Sequence, residues 1–149
     1  MRKRSVTLLL ALTLAVTAMA GSAAAADQTR FSDLTDSDTA LAVETLRLMG
    51  ALDGYGDGTF RPDAPMTRQQ MAAVLARYAE REGLDTGTRT ELSGFADGAA
   101  VGGWARPAME WAVAEGIFRG GADGALYPDG PLTRAQSAVL LTRLGEKLD

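Results

Sequence analysis

The apolar positions of this chain form two helix patterns, and both patterns occur twice. The first pattern repeats apolar side chains at the spacing of one helix face. It consists of Ala42, Val43, Leu46 and Met49 in one copy, and of Ala105, Ala108, Met109 and Ala112 in the other. Pro107 fits such a helix only in its opening turn. Gly50 and Gly116 follow where a left-handed C-terminal cap is expected.

The second helix of each copy begins with a polar signature. Thr67 and Thr133 are each followed three residues later by a glutamine, Gln70 and Gln136, which predicts a capping box. Behind the caps, one face is apolar in each copy: Met71, Val74, Leu75 and Tyr78 in the first, and Leu140, Leu141 and Leu144 in the second. Gly83 and Gly145 are the predicted helix ends.

A glycine-rich loop joins the two helices of each copy. Residues 54–75 read "GYGDGTFRPDAPMTRQQMAAVL" and residues 120–141 read "GGADGALYPDGPLTRAQSAVLL", an offset of 66 residues. The "FSD" and "FAD" motifs that open the copies are offset by 64, so two extra residues precede the second copy's first helix. A helix-loop-helix unit this small rarely holds a core alone, so we expect the two capped helices to pack together. The sequence predicts a mainly α protein.

The first 26 residues have the features of a secretory signal peptide. A basic start at residues 2–4 precedes an apolar stretch at residues 6–20 and small residues that end in "AAA" at 24–26. The alternative is an uncleaved anchor, but a membrane span needs about 20 apolar residues. The predicted organisation is therefore a signal peptide (1–26), a first repeat (27–82), a linker (83–94) and a second repeat (95–149).

Composition excludes several kinds of site. The chain has 15 basic and 19 acidic side chains; removal of three basic residues with the signal leaves 12, a net charge of −7. A general basic field for nucleic acid is absent. There is no cysteine or histidine, which excludes disulfides, the usual zinc sites and histidine-based triads. We expect no cofactor, and no membrane association after signal cleavage.

Taken together, these motifs resemble the S-layer homology repeat. The resemblance rests on the "F-x-D" start, the "W-A" helix, the "D-G-x-F-x-P" loop and the "T-R" capped helix, and covers residues 31 to about 80 and 95 to about 147. Members of the family commonly carry three repeats, whose capped helices form a central bundle. Two repeats here imply a partial pseudo-trimeric bundle.

The resemblance implies a secreted, non-catalytic module on the cell wall of a prokaryote. Family members bind acidic, often pyruvylated, secondary wall polysaccharide in grooves between repeats, with the arginine of the "T-R" motif at the acid. This implies Arg68 and Arg134 as ligand-binding residues, beside Thr67 and Thr133. A guanidinium suits a carboxylate, and helix N-terminal N–H groups beside it also favour an anion. The alternative is a solvated or salt-bridged surface arginine.

Further candidates at the site come from the loops and from one aromatic residue. The Asp-Gly pairs are Asp57 with Gly58 and Asp123 with Gly124, and their residue types also suit a tight turn. Trp104 fits a sugar platform and a core or interface position equally well. It has no counterpart in the first copy, where Asp38 aligns with it. Trp111 lies inside a predicted helix and is expected in the core.

Three departures leave a second function open. Only two repeats are visible, glutamine replaces the acid of the family motif, and Trp104 lacks a counterpart in the first copy. We also expect no cargo domain. The alternative function is a protein-interaction or assembly module that completes a helical bundle with another chain, either a second copy or another S-layer homology protein.

The sequence fits neither the calcium-binding EF-hand motif nor a glycosidase site. An EF-hand frame that starts at Asp53 fits at Asp57 and Gly58 but fails at Tyr55 and Ala64. A glycosidase would need a carboxylate pair across a sugar site. Acids such as Glu44, Glu110 and Glu115 exist, but Glu44 and Glu110 align with each other on the polar side of the helix pattern, as on a solvated face. We therefore expect no metal and no catalytic residue.

Overall fold

The computed structural model describes residues 31–149 and is mainly α, as predicted. The predicted signal peptide lies outside the described residues. The helices are α1 (Ser37–Leu48), α2 (Arg68–Arg81), α3 (Arg106–Ala114) and α4 (Arg134–Leu148), with single 3-10 turns at Leu92–Gly94 and Gly98–Ala100. Within 31–149 the only β pairing is an isolated bridge between Thr67 and Pro131. No helix in this range is long and apolar enough to cross a membrane.

The chain divides into two compact units, and the division falls after Ala64. In the first unit, α1 begins at Asp36, whose carboxylate accepts a hydrogen bond from the Thr39 N–H at 2.7 Å. A small core forms beneath it from Phe31, Leu34, Ala40 and Val43. The Phe31 ring lies 5.6 Å from that of Phe60, so the "FSD" segment packs on the end of its own loop.

The second unit, Pro65–Asp149, holds the larger core. It joins α2 of the first repeat to both helices of the second repeat, so the two capped helices pack together as expected. α2 presents a row of small buried side chains, Ala72, Ala73, Ala76 and Ala79, which allow close approach to α3. Trp111, predicted as core, is 1 % exposed, and its indole N–H has no partner within the described part of the chain.

The helix ends follow the sequence signals with one exception. Both capping boxes are formed, and Gly50 and Gly116 adopt left-handed φ angles of 72° and 70°. The predicted end at Gly145 is wrong, because α4 continues to Leu148. Leu148 packs on the core and Lys147 forms an ion pair with Glu115 at 3.0 Å, so tertiary contacts hold the last turn.

The aspartate of each "F-x-D" motif holds the end of its loop. The Asp33 carboxylate accepts backbone hydrogen bonds from Phe60 at 2.8 Å and Arg61 at 2.6 Å. Asp97 does the same for the two equivalent N–H groups of the second loop, those of Leu126 and Tyr127, both at 2.7 Å. These bonds offset the strain of left-handed backbone at Arg61 and Tyr127, whose φ angles are 60° and 55°.

Candidate functional site

Arg68 lies on the first turn of α2 and reaches across to the second repeat. Its Nε donates to the Leu126 carbonyl at 2.6 Å and its Nη2 to the Arg119 carbonyl at 3.3 Å. The guanidinium also lies 5.1 Å from the ring centroid of Phe118. Burial lowers the pKa of Arg68, although a guanidinium stays charged at neutral pH. These contacts fix the orientation of the cation.

The N-terminal N–H groups of α2 are occupied by the protein itself. Arg68 N–H donates to the Gly130 carbonyl at 3.0 Å, Gln69 N–H to the Pro128 carbonyl at 2.9 Å, and Gln70 N–H to the Thr67 hydroxyl at 3.3 Å. The expectation that this helix end offers free N–H groups to an anion is therefore wrong. The loop of the second repeat, which the sequence could not place, fills that position.

Arg68 forms one wall of a pocket of about 350 Å³ within the second unit. The pocket is lined by Arg68, Arg119, Gly120, Ala135, Gln136, Val139, Leu140 and Arg143. Three guanidinium groups thus share one recess in a chain whose net charge is −4. Leu140 and Val139 add apolar surface beside them.

Backbone carbonyls hold the other two arginines of the pocket. Arg143 Nη1 donates to the Ile117 carbonyl at 2.9 Å, and Arg119 Nε donates to the Gly116 carbonyl at 3.3 Å. Across residues 31–149, no carboxylate forms an ion pair with Arg68, Arg119 or Arg143. Because a guanidinium has five N–H donors, each retains donors for a ligand. The arrangement suits a carboxylate or another oxyanion.

Arg134, the second predicted anchor, lies elsewhere. It is exposed at the start of α4 and is not among the residues that line the pocket, although its neighbours Ala135 and Gln136 are. Thr67 and Thr133 act as N-caps, each accepting from the N–H of the glutamine three residues on, at 3.3 and 3.2 Å. The structure therefore brings Arg68, but not Arg134, to the pocket.

The Asp-Gly pairs shape their own turns. Asp57 accepts from the Thr59 hydroxyl at 2.6 Å, pairs with Arg61 at 2.8 Å and accepts from the Thr59 N–H at 3.0 Å, and these contacts lower its pKa to about 2. Asp123 accepts from the Ala125 N–H at 3.2 Å and from the Tyr127 hydroxyl, the largest cause of its lowered pKa. Gly58 and Gly124 follow with φ angles of 81° and 74°. These four residues lie outside the pocket lining.

Trp104 is 62 % exposed and lies over the backbone of Gly102. A Cβ built on Gly102 would lie 2.8 Å from the indole Nε1, so a larger residue there would require the exposed indole to shift. Trp104 does not line the arginine pocket. It is a separate exposed aromatic surface.

Sequence reasoning missed Arg119 and Arg143. Arg143 had a signal, since Arg77 occupies the equivalent position 66 residues earlier. Arg119 is instead a break in the repeat, because its counterpart is Asp53. At this position the two copies therefore carry opposite charges.

The acidic residues weighed for catalysis form ordinary surface contacts. Glu44 pairs with Arg47 at 2.5 Å, and Glu115 with Lys147 at 3.0 Å. Within residues 31–149 there is no group of three or more acidic side chains placed to hold a metal ion.

Comparison with known proteins identifies the family. Residues 30–72 and 94–138 match the S-layer homology domain. The chain is 34 % identical over 121 residues to a cellulosome-anchoring protein of Acetivibrio thermocellus, covering 78 % of this chain and 26 % of that protein. It is 36 % identical over 103 residues to the surface-layer 125 kDa protein of Lysinibacillus sphaericus, covering 67 % and 8 %.

An amylopullulanase of Thermoanaerobacterium thermosulfurigenes is 30 % identical over 118 residues, covering 78 % of this chain and 6 % of that enzyme. The chain thus spans about a quarter or less of the length of these relatives. No solved structure matches. The two matched segments cover more than half of the chain, which therefore belongs to the S-layer homology domain family.

Proposed function

We propose that this chain is a secreted, non-catalytic module that anchors to the cell wall by binding an acidic secondary polysaccharide. Its family supports the general role, and relatives named as an anchoring protein and a surface-layer protein carry the same segment. The amylopullulanase shares it over only 6 % of its length, which fits an attachment module beside a separate enzyme.

The arginine pocket is the observation that supports an acidic ligand. Arg68, Arg119 and Arg143 line one recess without an ion-pair partner in the described residues. Its volume of about 350 Å³ falls within the range of about 300–1,000 Å³ typical of small-ligand sites. A sugar carboxylate, including that of a pyruvate ketal, would accept paired hydrogen bonds from one guanidinium and a further bond from another.

Because the chain is acidic overall, an acidic ligand must be recognised through contacts within the pocket. The net charge of −7 without the signal repels a polyanion at long range. At an ionic strength of about 0.15 M that repulsion is screened beyond about 8 Å, whereas contacts inside a pocket are screened less. The carbonyls that orient the guanidinium groups leave the remaining donors in fixed positions, so little conformational freedom is lost when an anion binds.

Co-sedimentation with purified cell walls of the producing organism tests the proposal. Walls are used before and after extraction of the acidic polymer, with Arg119→Gln and Arg143→Gln in the pocket and the exposed Arg89→Gln as matched control. Each pocket variant should weaken binding about tenfold or more, because it loses a charge-assisted hydrogen bond. Arg89→Gln should bind as the parent does.

Arg134→Gln separates two versions of the proposal. If the "T-R" arginine of the second repeat contacts the glycan, this variant weakens binding as the pocket variants do. If the pocket alone binds, it does not. Folded parent protein that stays in the supernatant, or binding that survives both pocket substitutions, would contradict the proposal.

A further inference from the structure

The exposed face of α4 is the counterpart of a face that α2 buries. On α2, Gln69, Ala72, Ala73, Leu75 and Ala76 are buried in the second unit. The residues 66 positions later, Ala135, Ala138, Val139, Leu141 and Thr142, are all exposed on α4. Leu75 is 2 % exposed and Leu141 is 41 % exposed. The same helical surface is thus covered in one repeat and open in the other.

Two elements of the following repeat cover α2. The helix α3 packs along it, and the second loop caps its start. Three carbonyls of that loop accept hydrogen bonds from α2: Leu126 from the Arg68 side chain at 2.6 Å, Gly130 from the Arg68 N–H at 3.0 Å, and Pro128 from the Gln69 N–H at 2.9 Å.

The equivalent donors on α4 have no partner in the described part of the chain. These donors are the Arg134 side chain and the N–H groups of Arg134 and Ala135. The equivalent acceptors are the carbonyls of the first loop, those of Phe60, Pro62 and Ala64. These carbonyls also accept no hydrogen bond from the described residues. Open donors and open acceptors therefore occur at matching repeat positions.

The two loops also have the same backbone shape. An aspartate holds each loop end, Asp33 in the first and Asp97 in the second, and the held residues Arg61 and Tyr127 are both left-handed. The first loop can therefore present its three carbonyls as the second loop does. This complementarity within one sequence favours a second copy of the chain as the occupant of the α4 face.

We propose that α4 of one copy binds the first repeat of a second copy, with the carbonyls at 60, 62 and 64 accepting hydrogen bonds from the Arg134 side chain and the first N–H groups of α4. The proposal does not rest on glycan binding. The contact should be weaker than its internal counterpart. Gln69 donates to Asp129 and accepts from the Gly102 N–H, and Ala135 in the same place can do neither. The association is therefore reversible and concentration-dependent.

Sedimentation velocity and amide hydrogen exchange of residues 27–149 test this proposal at protein concentrations from about 10 µM to 1 mM. A reversible contact with a dissociation constant in that range is populated at these concentrations. The parent should associate as concentration rises, and the N–H groups of Arg134 and Ala135 should become protected. Ala138→Glu on the open face and Arg134→Gln should each shift the midpoint of association about tenfold or more to higher concentration. Neither residue lines the pocket. The matched control is Ala114→Glu, at an exposed position on α3.

A parent chain that remains monomeric throughout the range would overturn the proposal. So would association that Ala138→Glu leaves unchanged, or α4 protection already complete in the monomer. Far-ultraviolet circular dichroism verifies that each variant keeps its helices. Wall binding is measured separately, so failure of association and failure of glycan binding are distinguishable.

Discussion

One position gives the two loops opposite charges. Arg119 follows α3 in the second repeat, and Asp53 occupies its place in the first. With Arg68 and Arg143 nearby, Arg119 completes a cationic recess, whereas an aspartate there would pair with a neighbouring guanidinium and occupy its donors. The overall resemblance of the copies therefore does not extend to their charge, and the acidic ligand is expected at the second loop.

At Gly98, the addition of one methyl group should destabilise the protein. A Cβ built there would lie 2.0 Å from the Leu92 carbonyl oxygen, a backbone atom that cannot move independently. Gly98→Ala should therefore lower the free energy of unfolding by about 1–3 kcal/mol, the usual cost of overpacking. Urea denaturation measures this decrease in the free energy of unfolding. Gly103→Ala, where a Cβ meets nothing within 4 Å, is the control and should change little. Equal stability of the two variants would contradict this account.

Helices and their caps were predictable from local sequence, whereas the tertiary contacts of those helices were not. Thr67 with Gln70 specifies a helix start because the residues that bond each other lie within one turn. The end of α4 was mispredicted at Gly145 because Leu148 and Lys147 contact residues that are distant in the sequence. Of the three pocket arginines, the sequence singled out one for the same reason: Arg68 carries a motif, whereas Arg119 and Arg143 are brought to it by packing.

The cap of α2 gives a prediction at the scale of the element. Thr67→Ala removes the side-chain acceptor for the Gln70 N–H and should destabilise the protein by about 1 kcal/mol. Thermal unfolding followed by circular dichroism measures the loss. Thr88→Ala, at an exposed site outside the helices, is the matched control. Thr67→Ser should restore most of the loss, since serine caps as well as threonine. Failure of serine to do so would assign the effect to packing of the methyl group.

At the scale of the whole molecule, the compact units do not coincide with the sequence repeats. The repeats suggest a boundary in the linker at 83–94, whereas the compact units divide after Ala64. α2 belongs to the first repeat by sequence and to the core of the second unit by packing. α2 therefore packs on the repeat that follows it, whereas α4 has no such neighbour among the described residues.

Two fragments test that dependence. A fragment of residues 65–149 contains the complete second core and every residue of the arginine pocket, so it should unfold cooperatively and retain wall binding. A fragment of residues 83–149 holds the whole second repeat but lacks α2. It should unfold without cooperativity, because Trp111 and Met109 lose the alanine face of α2 that helps to bury them. Calorimetry and co-sedimentation compare the two. Cooperative unfolding of the shorter fragment at a similar temperature would show that the repeat, rather than the unit from Pro65, is the independent fold.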